Sequence, residues 1–210
     1  MKVPVGTVVV DLDDADRICM HIRDGDGFEP ESLDAWSKIA SSGNVIDVGA
    51  YTGLFSIAAA LMGATPLAIE PLYPNLHLMT KNMQANNVSF NVFEGIASDA
   101  PGPMSFWFNP NVNYTTGASV HENKYRTGRT VVDAVTIDSF NLDNVTAIKI
   151  DVEGYEDAVI RGAMATIQRD RPKILVEVLD AEARAKVQKL LPDYIVAAVL
   201  DRRNVLMIPT

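Results

Sequence analysis

The chain of 210 residues is 48% hydrophobic and carries a formal charge of −9. That is enough apolar content for one domain to bury a core unaided, and the wrong balance for a protein that grips nucleic acid through a broad basic surface. The concentrated basic stretches, Lys124–Arg126 with Arg129 and Arg169–Lys173, are no larger than a solvated loop or helix end carries, so nucleic acid is an unfavoured partner. A single cysteine, Cys19, excludes an internal disulfide and makes the cytoplasm the expected compartment. The first thirty residues are interrupted by charges and read as neither a signal peptide nor a membrane anchor.

Val5–Leu12 and Arg17–Arg23 are β-branched or apolar runs separated by Asp13-Asp14-Ala15-Asp16, which predicts an N-terminal hairpin. It reads as an accessory over residues 1–28, ahead of a core over 29–210 within one domain. Pro30–Ala40 places Leu33, Trp36, Ile39 and Ala40 on one helical face, with proline in the first turn. Five strands are then expected at Asn44–Val48, Thr65–Glu70, Val88–Glu94, Ala147–Asp151 and Lys173–Glu177. Most are continuous apolar runs, as in strands covered by helices on both faces. Helical patterns at Gly53–Met62, Tyr73–Asn86, Glu156–Arg169 and Ala181–Leu191 alternate with them, and this predicts βαβ units and a mostly parallel sheet. Asp193–Leu200 and Val205–Ile208 are joined by a turn too tight for a crossover helix, so a C-terminal antiparallel hairpin should close a Rossmann-like sheet of seven strands.

Asp47 ends the first core strand, and Gly49-Ala50-Tyr51-Thr52-Gly53 follows as a turn in which glycine lets backbone approach a ligand. Tyr51 stands where a dinucleotide fingerprint needs its middle glycine, which disfavours NAD. A strand-end carboxylate instead suits a ligand carrying cationic groups. Glu70 ends the second strand, where a carboxylate accepts hydrogen bonds from the two hydroxyls of a ribose. Together these residues describe an adenosine-plus-cation site. Taken singly, the glycines are ordinary turn residues and Asp47 a helix cap. After the third strand, Ile96 is placed to pack on an adenine ring and Glu94 to accept from its amino group, with a solvated loop as the alternative.

The chain resembles the FkbM-type methyltransferases of the class I S-adenosylmethionine-dependent superfamily over roughly Gly27–Thr210. The resemblance is carried by Gly27-Phe-Glu-Pro30, Val45-Ile-Asp-Val-Gly-Ala-Tyr-Thr-Gly-Leu-Phe-Ser56, Ala68-Ile-Glu-Pro71, Val135-Thr-Ile-Asp138, Ile148-Lys-Ile-Asp-Val-Glu-Gly-Tyr-Glu156 with Gly162, and Ile174-Leu-Val-Glu-Val178. It implies methyl transfer, commonly to a hydroxyl of a sugar or other small molecule, with S-adenosylmethionine as cofactor. On this reading the cofactor-binding set is Asp47, Gly49, Ala50, Tyr51, Thr52, Gly53, Glu70, Pro71, Glu94, Gly95, Ile96 and Asp151.

An alcohol acceptor must lose its proton near the moment of attack, which calls for a positioned carboxylate, histidine or metal. Asp151, at the end of the fourth core strand, is the leading base, with Glu153 and Glu177 raising its proton affinity and His121 a further candidate. Helix capping is the plain alternative for Asp151 and Glu153. The three carboxylates also offer a divalent cation a place, although no fixed ligand spacing demands one. Lys149 alternates away from the rim and is expected to pair with a carboxylate. Asn109–Arg129 shows no familiar pattern and reads as the acceptor-choosing loop, with Asn111, Asn113, Tyr114 and His121 able to bond a hydroxylated ligand. The rival readings are a methyltransferase of RNA ribose hydroxyls, for which Lys149, Asp151, Lys173 and Glu177 supply the residue types, and a noncatalytic cofactor-binding subunit.

Overall fold

A computed structural model describes residues 1–25, 27–111 and 117–210. The chain opens with β1 (Lys2–Val5) and β2 (Val8–Asp11), an antiparallel hairpin turned at Gly6, whose φ of +56° suits glycine. The expected hairpin partner, Arg17–Arg23, is instead helix α1 (Arg17–Arg23). The reason is local. Asp16 caps it by accepting from the Ile18 amide, and Ile18, Cys19 and Ile22 share the buried side at helical spacing. The hairpin is therefore made within residues 2–11.

Helix α2 (Pro30–Ile39) leads into β3 (Asn44–Val48), α3 (Leu54–Leu61), β4 (Thr65–Ile69), α4 (Tyr73–Ala85) and β5 (Asn91–Phe93). The last strand begins later than its apolar pattern suggested, because the Val88 amide still bonds the Met83 carbonyl and finishes the helix end. Three strands then fold apart from the main sheet: β6 (Ile96–Ala97), β7 (Gly102–Phe108) and β8 (Gly128–Val135), in the order β6-β8-β7. A 3₁₀ turn at Ile137–Phe140 precedes β9 (Val145–Ile150), α5 (Glu156–Arg161), α6 (Met164–Asp170), β10 (Lys173–Glu177), α7 (Ala181–Leu190), β11 (Tyr194–Leu200) and β12 (Asn204–Pro209).

The main sheet has seven strands in the order β11-β12-β10-β9-β3-β4-β5. β12 runs antiparallel to both neighbours, and the other pairings are parallel. Alternation along β3, β9 and β10 divides the core. Ile46, Ile148 and Ile174 face α5, α6 and α7, while Val45, Ala147 and Leu175 face α2, α3 and the N-terminal hairpin. The helix expected over Glu156–Arg169 is broken at Gly162, where a Cβ would lie 1.9 Å from the Ser98 carbonyl oxygen, so the backbone of the β6 region presses into the break. No helix among the described residues is long and apolar enough to cross a membrane.

Candidate functional site

A cleft of about 940 Å³, counted to its open mouth, lies over the carboxyl ends of β3, β4, β9 and β10, the edge at which open α/β sheets bind ligands. Five carboxylates line it, from Glu29, Glu70, Asp151, Glu153 and Glu177, and among the described residues no basic side chain does.

The glycine turn forms one wall. Gly49 has a φ of +78°, and a Cβ there would lie 1.8 Å from the Asp151 carbonyl oxygen. Glycine is thus demanded by the close passage of the chain leaving β9, and Gly49 lines the cleft as a result. Gly53, at +88°, faces Met79 rather than the cleft, and Ala50 and Thr52 are buried behind the turn. Tyr51 lines the cleft with φ +52°, its amide bonded to Glu70 Oε2 at 3.0 Å.

Glu70 is 5% exposed and follows β4 directly. Its Oε1 accepts from the Leu72 amide and Asn75 Nδ2, and its Oε2, among the described residues, from the Tyr51 amide. A carboxylate offers about four acceptor positions, so a lone pair on Oε2 is left for a ligand. Burial outweighs these donors and raises its pKa to about 7. Pro71, Gly95, Ile96 and Phe106 make the neighbouring apolar slot, whereas Glu94 is exposed outside it.

Asp47 lies beneath the turn, 1% exposed, and does not reach the cleft wall. Its Oδ2 accepts from Ser56 Oγ at 2.7 Å, near the start of α3, and Oδ1 has no hydrogen-bond partner. Register sets it opposite Lys149 on β9. The buried Lys149 ammonium bonds Asp151 Oδ2 at 3.0 Å and lies 4.6 Å from the centre of the Phe55 ring, which is the carboxylate pairing expected of it. Glu29, a residue missed as a site candidate, enters from the start of α2, and burial raises its pKa to about 7.

Single oxygens of Asp151, Glu153 and Glu177 fall within 4.8 Å of one another, a grouping able to hold a metal ion. Burial and the neighbouring Asp151 and Glu153 charges push the Glu177 carboxyl well above the usual carboxylate range. Burial and the same charge raise Glu153, with Arg126 opposing. Arg126 Nη2 reaches Glu153 Oε2 at 3.3 Å, its Nε bonds the Gly117 carbonyl, and its Nη1 lies 3.4 Å from the His121 carbonyl. Ser119 adds a bond to the Glu153 carbonyl at 3.0 Å and pairs with Trp107 of β7. These ties hold Gly117, Ala118 and Val120 over the cleft as a strap.

His121 is exposed and outside the lining. Its ring bonds the Gly154 carbonyl and stands edge-on to Tyr155, which does line the cleft. Asn111 is exposed, and Asn113 and Tyr114 lie outside the described residues. Lys173 opens β10 at the end opposite Glu177, roughly 13 Å away along the strand, so the Lys, Asp, Lys, Glu set is not assembled. Among the missed residues, Glu29 stood inside the Gly27–Pro30 motif and Arg126 in a basic stretch, while Asn75, Phe106 and Tyr155 gave no separate signal.

The fold has solved counterparts. A crystal structure of methyltransferase FkbM from Methylobacillus flagellatus KT superposes with a TM-score of 0.59 at 19% identity, covering 81% of this chain and 44% of that one. The chain thus spans less than half that neighbour's length. A ribosomal protein L11 methylase from Lactobacillus delbrueckii subsp. bulgaricus gives 0.53 at 13% identity, covering 86% and 79%, and an rRNA methylase from Streptococcus thermophilus gives 0.51 at 8%, covering 84% and 92%. No curated protein is matched. The family model described as the methyltransferase FkbM domain matches residues 47–196, well over half of the chain and including the glycine turn, Glu70 and the Asp151–Glu177 rim. The chain belongs to the FkbM methyltransferase family.

Proposed function

We propose that this protein uses S-adenosylmethionine to methylate a hydroxyl group of a small molecule or sugar. The observation that carries the reading is Glu70: a buried strand-end carboxylate, fixed by three donors, with an acceptor position left on the cleft side. A ribose diol supplies the donor that position lacks. The apolar slot of Pro71, Gly95, Ile96 and Phe106 suits an adenine ring, and the five lining carboxylates, which outnumber the Lys149 and Arg126 cations paired to them, suit a ligand bearing an ammonium and a sulfonium. When bound, the cofactor supplies an electrophilic methyl group whose transfer is an in-line displacement.

The protein's part is to position the acceptor and move one proton. Asp151 is the proton acceptor, Lys149 holds its orientation, and Glu153, Glu177 and the strap bound the acceptor side. Tyr155, Ala118 and Val120 shed water from that side, and the carboxylates beside them disfavour a phosphate. That wall, and the distance of Lys173 from it, weigh against RNA as acceptor. A noncatalytic subunit would bind cofactor without turnover.

Transfer of labelled methyl from S-adenosylmethionine to neutral sugars and to a metabolite extract is the direct assay. Asp151→Asn should lower turnover by about a hundredfold or more with cofactor affinity little changed. Full turnover in the variant would remove Asp151 as the base, and activity abolished by a chelator would move the proton step to a metal held by Asp151, Glu153 and Glu177.

A further inference from the structure

We propose that Glu29 receives the ammonium group of the cofactor's amino-acid tail, the task that sequence reasoning gives to Asp47; the inference rests on the cofactor reading above. Asp47 is unsuited by position: it is buried beneath the turn and outside the cleft lining, so its unpaired Oδ1 is out of a ligand's reach. Glu29 lines the cleft beside Gly49 and Asp151.

Three features mark its carboxylate as held for a ligand. First, Glu29 occupies the cap position of α2 yet makes no side-chain cap bond. That work is done by Asp201, in the turn between β11 and β12, whose Oδ2 accepts from the Ser32 amide at 2.7 Å and whose Oδ1 accepts from the Glu31 amide. Second, Glu29 has a left-handed backbone, φ +41°, a conformation that costs a residue with a side chain and persists where the surroundings enforce it. Third, Glu29 Oε2 is buried with no hydrogen-bond partner among the described residues. A buried unpaired oxygen is costly, and a cationic donor relieves that cost. The Lys149 ammonium, whose charge acts on Glu29, is committed to Asp151, and Glu29 makes no ion pair among the described residues.

The spacing agrees. In the strand order β9-β3-β4, Glu70 ends β4 and Asp151 ends β9, two strand intervals or roughly 10 Å apart. A nucleoside anchored at Glu70 therefore extends its tail across Gly49 toward Asp151 and Glu29.

The test compares calorimetric binding of two probes to the purified full chain: S-adenosylhomocysteine, and its analogue with hydrogen in place of the α-amino group. The wild type should prefer the amine by about tenfold or more, and Glu29→Gln should erase that preference while binding the deaminated probe as the wild type does. No preference in the wild type overturns the proposal even if the variant fails to fold. A variant that weakens both probes equally overturns it too, as a structural effect. A wild type that binds neither probe removes the cofactor reading along with it.

Discussion

The two sides of the cleft are built differently. The side formed by β3, β4 and the glycine turn is fixed by backbone: Gly49 admits the Asp151 carbonyl, and Glu70 is gripped by two main-chain amides and Asn75. The side formed by the strap and the small β6-β8-β7 sheet is held by side chains reaching across long sequence separations, with Arg126 and Ser119 tied to Glu153 and Tyr155 Oη to Ser98 at 3.0 Å. A wall made of core backbone binds an invariant ligand part, whereas one made of surface ties can change without unfolding the protein. On the proposed reading the first side holds the ribose and the strap of the second side chooses the acceptor, while Ile96 and Phe106 of the small sheet wall the adenine slot.

Gly49→Ala should have the largest effect. Its added carbon meets a backbone carbonyl and sits at a φ that alanine resists, so a loss of at least about 3 kcal/mol of stability is expected by chemical denaturation. A stable, folded variant would show that the two chain exits separate easily and that the backbone wall is not rigid.

Arg126→Met tests the other side. The side chain is 12% exposed and bonded to the Gly117 carbonyl of the strap and to the Glu153 carboxylate. Its loss should raise the acceptor KM by about tenfold while cofactor affinity moves less than about threefold. Equal losses in both would erase the division between the sides.

A smaller, graded effect follows from pH. Glu29 and Glu70 have folded-state pKa values of about 7 against 4.5 for the ordinary side chain. The folded protein thus holds protons that the unfolded chain has released. Their stabilisation is full below about pH 4.5 and is lost as pH rises through 7. For the buried Glu70 the ceiling is about 3 kcal/mol. The melting temperature of the ligand-free protein should fall from pH 5.5 to pH 8.5, more shallowly in Glu70→Gln. Scanning calorimetry showing a rising Tm over that range would contradict the assignment.

The same division explains what was legible in the sequence. β3 and β10 fall where continuous apolar runs placed them, and Gly49, Glu70 and Asp151 are strand-end residues that the chain order alone brings to one edge. Phe106, Trp107 and Phe108 are apolar on both faces of β7 and hid its alternation, and the N-terminal hairpin was displaced because a segment as short as Arg17–Arg23, with Ile18, Cys19, Met20 and Ile22 apolar, suits helix as well as strand. The depth of Asp47, the exposure of His121 and the reach of Arg126 and Glu29 depend on contacts between distant segments, which spacing does not encode.

The most direct measurement is the calorimetric affinity of the wild type and of Glu70→Ala for S-adenosylmethionine. The wild type should bind, and the variant should lose about 1.5–3 kcal/mol, the scale of charge-assisted hydrogen bonds to the ribose. Unchanged affinity in a folded variant would take Glu70 out of the site and contradict the account.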